Sequence, residues 1–434
     1  MKKSDFLDNP DVNEFAGWLS DHAPNIEVNL EIRRSKFVPN RVSANLKGFS
    51  EILNCYQWKS KDVVSGDWTE SVEKLKHLSE QLRDAVSSGS EQEALRACIN
   101  VLDWGGDRNP HRGSRPFLER KARKQNLLTY LRGVTNALNL EEADTRLLTS
   151  ESSPVKKMNS MLTKVHSLLS VDGLPIYDSR VAAAIASLVE MWRMDRKLTD
   201  KPLPDALRFP ATMRSRSVLH VFPTEHHPGV LNYNSDSTSG EWASAKVRLA
   251  WLIQLVLLKT ESPLFPGCAD LAARMHAFEA TLFMIGYDVR CLNPALGPNK
   301  RFVVPVEAKK LLNQLEESGK PTKSVGTLNG RGQSINYSGT TSTGFNVSWG
   351  SLKFTLDPET IDHLSAEFHG RSDVPLGASM TGGTPDDSLG QWLVNNGWPS
   401  ARYASAIAPI LLEEGELSVS SGGQRFLLSF ATNC

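Results

Sequence analysis

The stretch Val247–Thr260, VRLAWLIQLVLLKT, is the most hydrophobic segment of the chain. It falls short of the roughly 20 apolar residues that cross a bilayer. It is expected as a helix buried in a core, with the rest of the chain supplying its cover. A chain of 434 residues is long enough for two or three domains, each with its own core. Hydrophobic residues at 40% and charged residues at 23% are ordinary for a globular protein. The opening MKKSDFLDNPDVNEF has lysines with no apolar run behind them, so no signal peptide is read there. No membrane partner and a cytoplasmic location are expected. The cysteines, Cys55, Cys98, Cys268, Cys291 and Cys434, are scattered and form no CxxC. That argues against a disulfide framework and against a cysteine-rich zinc site. Lys+Arg and Asp+Glu are equal at 49 each, so only local clustering of charge can speak to a nucleic-acid partner.

The first 50 residues read as irregular structure with short helices. From Trp68 to Val86, Val72, Leu75, Leu78, Leu82 and Val86 recur at three- and four-residue spacing and predict an amphipathic helix. Ser90 with Glu93 has the spacing of a capping box for the next helix, which Gly105 and Gly106 end. Further helices are expected at Pro154–Leu169, Ser179–Leu198, Lys246–Thr260 and Ala269–Ile285, with a polar loop, FPTEHHPGVLNYNSDSTSG, between the second and third.

Composition changes after Asn299. Residues 300–345 read as a connecting strand and helix followed by a Gly/Ser/Thr-rich linker. Residues 346–434 read as a small α+β module. It begins with a strand pair in FNVSWGSLKFTLD and continues with helices at Pro358–Phe368, Ser388–Asn396 and Ser400–Glu414. A hairpin across Ser421-Gly422-Gly423 closes it. Three helices and a hairpin give the element order of a winged helix, whose third helix enters the major groove. Here that helix has Arg402 as its only base and ends in Glu413 and Glu414, which suits a protein-docking module better than a DNA reader. Ile407, Ile410 and Leu411 are expected in its core.

Two stretches carry chemistry. The first is MNSMLTKVHSLLSVDGLPIYDSRVAAAI, with Thr163-Lys164-Val165, Pro175 and Asp178-Ser179-Arg180-Val181. It resembles the heart of the helix–hairpin–helix DNA glycosylases, and most of all bacterial proteins with an 8-oxoguanine DNA glycosylase fold. The resemblance implies a helical DNA-binding region over residues 1–299, with Asp178 as the catalytic carboxylate, Lys164 beside it and Arg180 toward DNA. It also implies base excision in repair or in defence against foreign DNA. The family's Gly-rich turn has no counterpart, since no glycine lies between Gly133 and Gly173. Read from the residues alone, Asp178 is a helix N-cap, with a value of about 1 kcal/mol.

The second stretch runs from Arg108 to Arg132 and holds eight cations against one acid, Glu119. Arg112, Arg115, Arg120, Lys121, Arg123 and Lys124 are the candidate phosphate contacts, with Phe117 and Tyr130 interleaved. A solvated helix face paired with Glu141 and Glu142 is the alternative. Glu225, His226 and His227, and His276 with Glu279, lack the spacing of a zinc site, so neither metal nor cofactor is expected. The chain thus reads as mainly α, a DNA-binding base-excision protein or a non-catalytic subunit, with DNA and other protein subunits as partners.

Overall fold

The computed structural model describes residues 1–60, 63–107, 113–210, 231, 238–261, 263–293, 323–330, 332–341, 344–378, 384–422 and 425–430. They are mainly helical, with small antiparallel sheets. The chain divides into one unit of Met1–Arg108 with Leu118–Leu315 and another of Asn109–Phe117 with Glu316–Cys434.

The first unit begins with α1 (Lys3–Leu7) and α2 (Pro10–His22), followed by β1 (Glu27–Ile32) and β2 (Val42–Lys47). The two strands pair antiparallel from Glu27 with Lys47 to Ile32 with Val42. This hairpin corrects the expectation of irregular structure before residue 50: Val28, Leu30 and Ile32 alternate inward. Next come α3 (Gly48–Asn54), α4 (Trp68–Ser88) and α5 (Glu91–Trp104). Asp67 caps α4 by accepting from the Glu70 amide, and Ser90 caps α5 by accepting from the Glu93 amide. The reciprocal half of the capping box is absent, because the Glu93 carboxylate takes the Ser88 hydroxyl at 2.9 Å.

After α6 (Ser114–Arg123), which belongs to this unit from Leu118 onward, and α7 (Leu127–Ala137) come α8 (Thr145–Leu148), α9 (Leu162–Leu169), α10 (Ser179–Asp195), α11 (Ser239–Lys259) and α12 (Leu271–Ile285). The helix expected from Pro154 starts only at Leu162, where the Asn159 side chain accepts from the Met161 and Leu162 amides, both at 3.0 Å. The apolar run lies in α11, which begins at Ser239 and packs on α2, α8 and α12. Trp242, Trp251 and Trp192 are fully enclosed there, and Leu258 alone of the run's large apolar residues is well exposed. A run of alanines, Ala182 to Ala184 and Ala186, lets α10 pack closely on α12. The approach is closest where a Cβ on Gly286 would fall 2.1 Å from the Arg180 carbonyl oxygen. No helix among the described residues is long and apolar enough to cross a membrane.

The second unit corrects the reading of 300–345 as a connection. Residues 301–322 lie outside the described residues. Beyond them β3 (Lys323–Val325) and β4 (Ile335–Thr340) join β5 (Gly344–Trp349) and β6 (Leu352–Leu356) in a four-stranded antiparallel sheet, ordered β3-β4-β5-β6. Then come α13 (Pro358–Glu367), β7 (Val374–Pro375), α14 (Leu389–Asn395), α15 (Ala404–Glu413), β8 (Leu417–Gly422) and β9 (Arg425–Phe430). The last three strands form a second sheet, ordered β7-β9-β8. Ala404, Ala406 to Leu411 and the inward residues Ile335, Tyr337, Phe345 and Val347 are buried in this unit's core. Glu414, just past α15, accepts from Lys323 at 2.6 Å and from the Tyr337 hydroxyl at 2.8 Å.

Candidate functional site

The loop between α9 and α10 is held residue by residue. Lys246, from α11, donates to the Pro175 carbonyl at 2.7 Å. The Ile176 amide donates to Glu279 of α12 at 3.4 Å, and the Tyr177 amide to the Thr163 hydroxyl at 3.0 Å. Trp242 donates to the Tyr177 carbonyl at 2.7 Å. Three consecutive residues are thus pinned from α9, α11 and α12, and the next residue is Asp178.

Asp178 is the N-cap of α10. Its Oδ1 accepts from the Arg180 amide at 2.8 Å and the Val181 amide at 3.1 Å, while Oδ2 faces an Arg180 guanidinium nitrogen at 3.4 Å. Burial alone would raise its pKa. Arg180, Lys164 and the two amides outweigh burial, so the carboxyl is held below its ordinary value. Lys164 is buried on α9 and donates to the Ser160 carbonyl at 2.7 Å. Its stem lies on Gly105, where a Cβ would come within 2.7 Å of Lys164 Cδ. Burial lowers its pKa, against the pull of Asp178. Lys164 on α9 and Asp178 at the start of α10 feel each other's charge, but no ion pair forms between them: each side chain is held by other partners. Both are buried rather than lining an open cleft. A cavity of about 780 Å³ lies elsewhere in this unit, among residues such as Trp68, Val72, Arg83, Cys268 and His276, and includes neither.

Arg180 pairs with Asp178 and is itself packed among aromatic rings. Its guanidinium lies 4.4 Å from the Tyr287 ring centroid, 4.8 Å from Phe283 and 5.8 Å from Trp58. The centre is thus walled by aromatic rings, with Trp58 donating to the Trp104 carbonyl at 3.0 Å.

Sequence singles out no role for Lys246, and it weighs Glu279 only as a metal ligand beside His276, not as an anchor of this loop. Lys246 is fully buried, and its Nζ lies 2.6 to 3.0 Å from four oxygens that share its three N–H donors: the Thr163 carbonyl and hydroxyl, the Ser167 hydroxyl and the Pro175 carbonyl. Burial drives its pKa well below the usual lysine range, and burial likewise raises that of Glu279. Lys246→Met keeps the length of the side chain and strands its acceptors. It is expected to cost about 3 kcal/mol, measured as the change in urea midpoint at constant m-value.

The basic stretch is only partly described. Arg108 and Arg112 lie outside the described residues, as do Glu225, His226 and His227. Arg115, Arg120 and Lys121 on α6 are half-buried, while Arg123 and Lys124 are exposed. Burial lowers the Lys121 pKa, and Arg120, Lys124 and Lys156 push it the same way, so these cations form one positive cluster. The expected partner Glu141 pairs with Lys3 instead. His276 Nδ1 stands 4.0 Å from Glu279, and no group of metal-ligating side chains occurs among the described residues. Comparison with protein-family models, curated proteins and solved structures gives no match.

Proposed function

We propose that the first unit binds duplex DNA and cuts an N-glycosidic bond at Lys164 and Asp178. One observation carries the reading: a buried lysine on α9 and a buried helix-capping carboxylate lie near enough to act on each other's charge where a pinned loop enters α10. Such a pair suits this chemistry. As the bond to C1′ breaks, its electron pair leaves with the base and the sugar becomes oxocarbenium-like. Asp178 stabilises that charge. Lys164, once it has given up its proton, adds its lone pair to C1′; the proton that the resulting ammonium loses passes through Asp178 to the departing base, and water then attacks the adduct to free the sugar and the amine. The target base must leave the duplex, and Arg180 must turn off Asp178 to admit it. The α6 cations serve as phosphate contacts in this reading.

The order α13-β7-α14-α15-β8-β9, with strands β7-β9-β8, supports a winged-helix-like reading of the C-terminal module. Its third helix, α15, is largely enclosed in the core, which favours a protein-docking role over groove reading.

A second reading, a non-catalytic DNA-binding subunit, is favoured by the enclosure of both residues and by the structural partners each already has. The two part in one experiment. The intact protein is incubated with duplexes carrying deaminated, oxidised or alkylated bases and with hypermodified phage DNA. Free base in the supernatant is the expected result. Duplex binding with no base released from any of them would leave the subunit reading.

A further inference from the structure

The connection between β1 and β2, residues 33–41, reads RRSKFVPNR: four cations and no carboxylate. Arg41 is neutralised by Glu31 across the hairpin at 3.1 Å. Arg33, Arg34 and Lys36 are exposed, and no carboxylate among the described residues pairs with them.

A charged loop alone would say little. This one is mounted firmly. The Ser35 amide donates to the Val38 carbonyl at 2.8 Å, and the Val38 amide returns a bond to the Ser35 hydroxyl at 3.1 Å. The Lys59 amide donates to the Phe37 carbonyl at 2.8 Å, and the Asn40 amide to the Gln57 side chain at 3.1 Å. The Phe37 ring stacks on Trp58 with centroids 4.2 Å apart and planes 6° from parallel. It also rests on Gly106, at φ +82°, where a Cβ would come within 2.5 Å of the ring.

The mount leads to the site. Trp58 is bonded to Trp104, Gly105 follows, and the Lys164 stem lies on Gly105. The same Trp58 ring faces the Arg180 guanidinium that pairs with Asp178. The base of the cationic loop is therefore one wall of the Lys164–Asp178 centre.

We propose that this loop is a backbone clamp for a DNA strand, with Arg33, Arg34 and Lys36 each taking a phosphate of the strand presented to the site. Its placement rests on the DNA-binding reading above. Three unneutralised cations within four residues, on a rigid support and beside aromatic rings, match the spaced negative charges of a nucleic-acid backbone. Contacts to phosphates fix position and carry no sequence information directly, so the clamp reads charge.

The test measures equilibrium binding of an unmodified duplex to the intact chain by fluorescence anisotropy, over about 50–200 mM salt. The variant Arg33→Ala/Arg34→Ala/Lys36→Ala is compared with a control of equal charge, Lys201→Ala/Lys259→Ala/Lys353→Ala. All six side chains are exposed, so both variants fold. The loop variant is expected to flatten the slope of log K against log salt by about 2.7, at about 0.9 for each phosphate that is no longer neutralised, with the control unchanged. An unchanged slope in the loop variant, or an equal change in the control, overturns the clamp. So does wild-type protein that binds no duplex, or that binds anionic phospholipid vesicles instead. Base release is scored separately: duplex binding that depends on the loop, without base release, removes the catalytic reading and keeps the clamp.

Discussion

Lowering the pH from 6.5 toward about 3 is expected to remove on the order of 4–5 kcal/mol of stability from the first unit through His166 alone. His166 is buried on α9, its Nε2 3.3 Å from the Tyr130 hydroxyl. Burial holds its pKa down to about 3 against an ordinary 6.5, and the nearby Lys246 pushes the same way. The folded value is the lower one, so the unfolded chain takes the proton first as pH falls below 6.5. Stability is therefore intact above 6.5 and is lost steadily down to about 3, where the folded chain also protonates. His166→Phe removes this titration. It is expected to be about 1 kcal/mol less stable near neutrality, through the lost hydrogen bond, but with a shallower fall in acid. Urea denaturation at about pH 7 and about pH 4 checks it, and equal losses in both proteins would contradict the assignment.

The parts of this site that sequence revealed are local ones. Asp178 announces itself because a cap acts within one turn, and Pro175 and Lys164 lie within a few residues of the same helix–loop–helix. The roles of Lys246 and Glu279 in the loop were illegible because their partners lie 83 and 103 residues away, at Thr163 and Ile176. A lysine within an apolar helix pattern carries no mark of what it will bond. The β1–β2 hairpin escaped for another reason. Its strands are short, and a nine-residue connection replaces the two-residue turn that signals a hairpin. The glycines read as a linker are partly turn chemistry. Gly339 sits at φ +119°, and a Cβ there would come within 2.0 Å of the Gly344 carbonyl oxygen, so the tight return from β4 to β5 needs glycine. Composition marked the glycines and so pointed to a linker; the alternation of Ile335 and Tyr337 with polar residues is the strand signal that this reading passed over.

Asp178→Asn separates chemistry from architecture. Asparagine caps a helix about as well as aspartate, so the two bonds to the Arg180 and Val181 amides survive. The charge facing Arg180 and Lys164 is lost, at a cost on the order of 1–2 kcal/mol, which leaves the fold intact. The DNA contacts assigned to α6 and to the β1–β2 loop are untouched, so duplex affinity stays near that of the wild type. Without the carboxylate, nothing stabilises the developing sugar cation or takes the proton from Lys164. Base release is expected to fall by about 10²–10³-fold.

The most direct measurement is single-turnover release of free base from a damaged or hypermodified duplex, with wild-type protein and the Asp178→Asn variant side by side at saturating enzyme. Release by the wild type and a loss of about 10²–10³-fold in the variant at matched duplex occupancy are expected. Release at equal rates by both, or none by a wild type that holds the duplex, would contradict the catalytic reading.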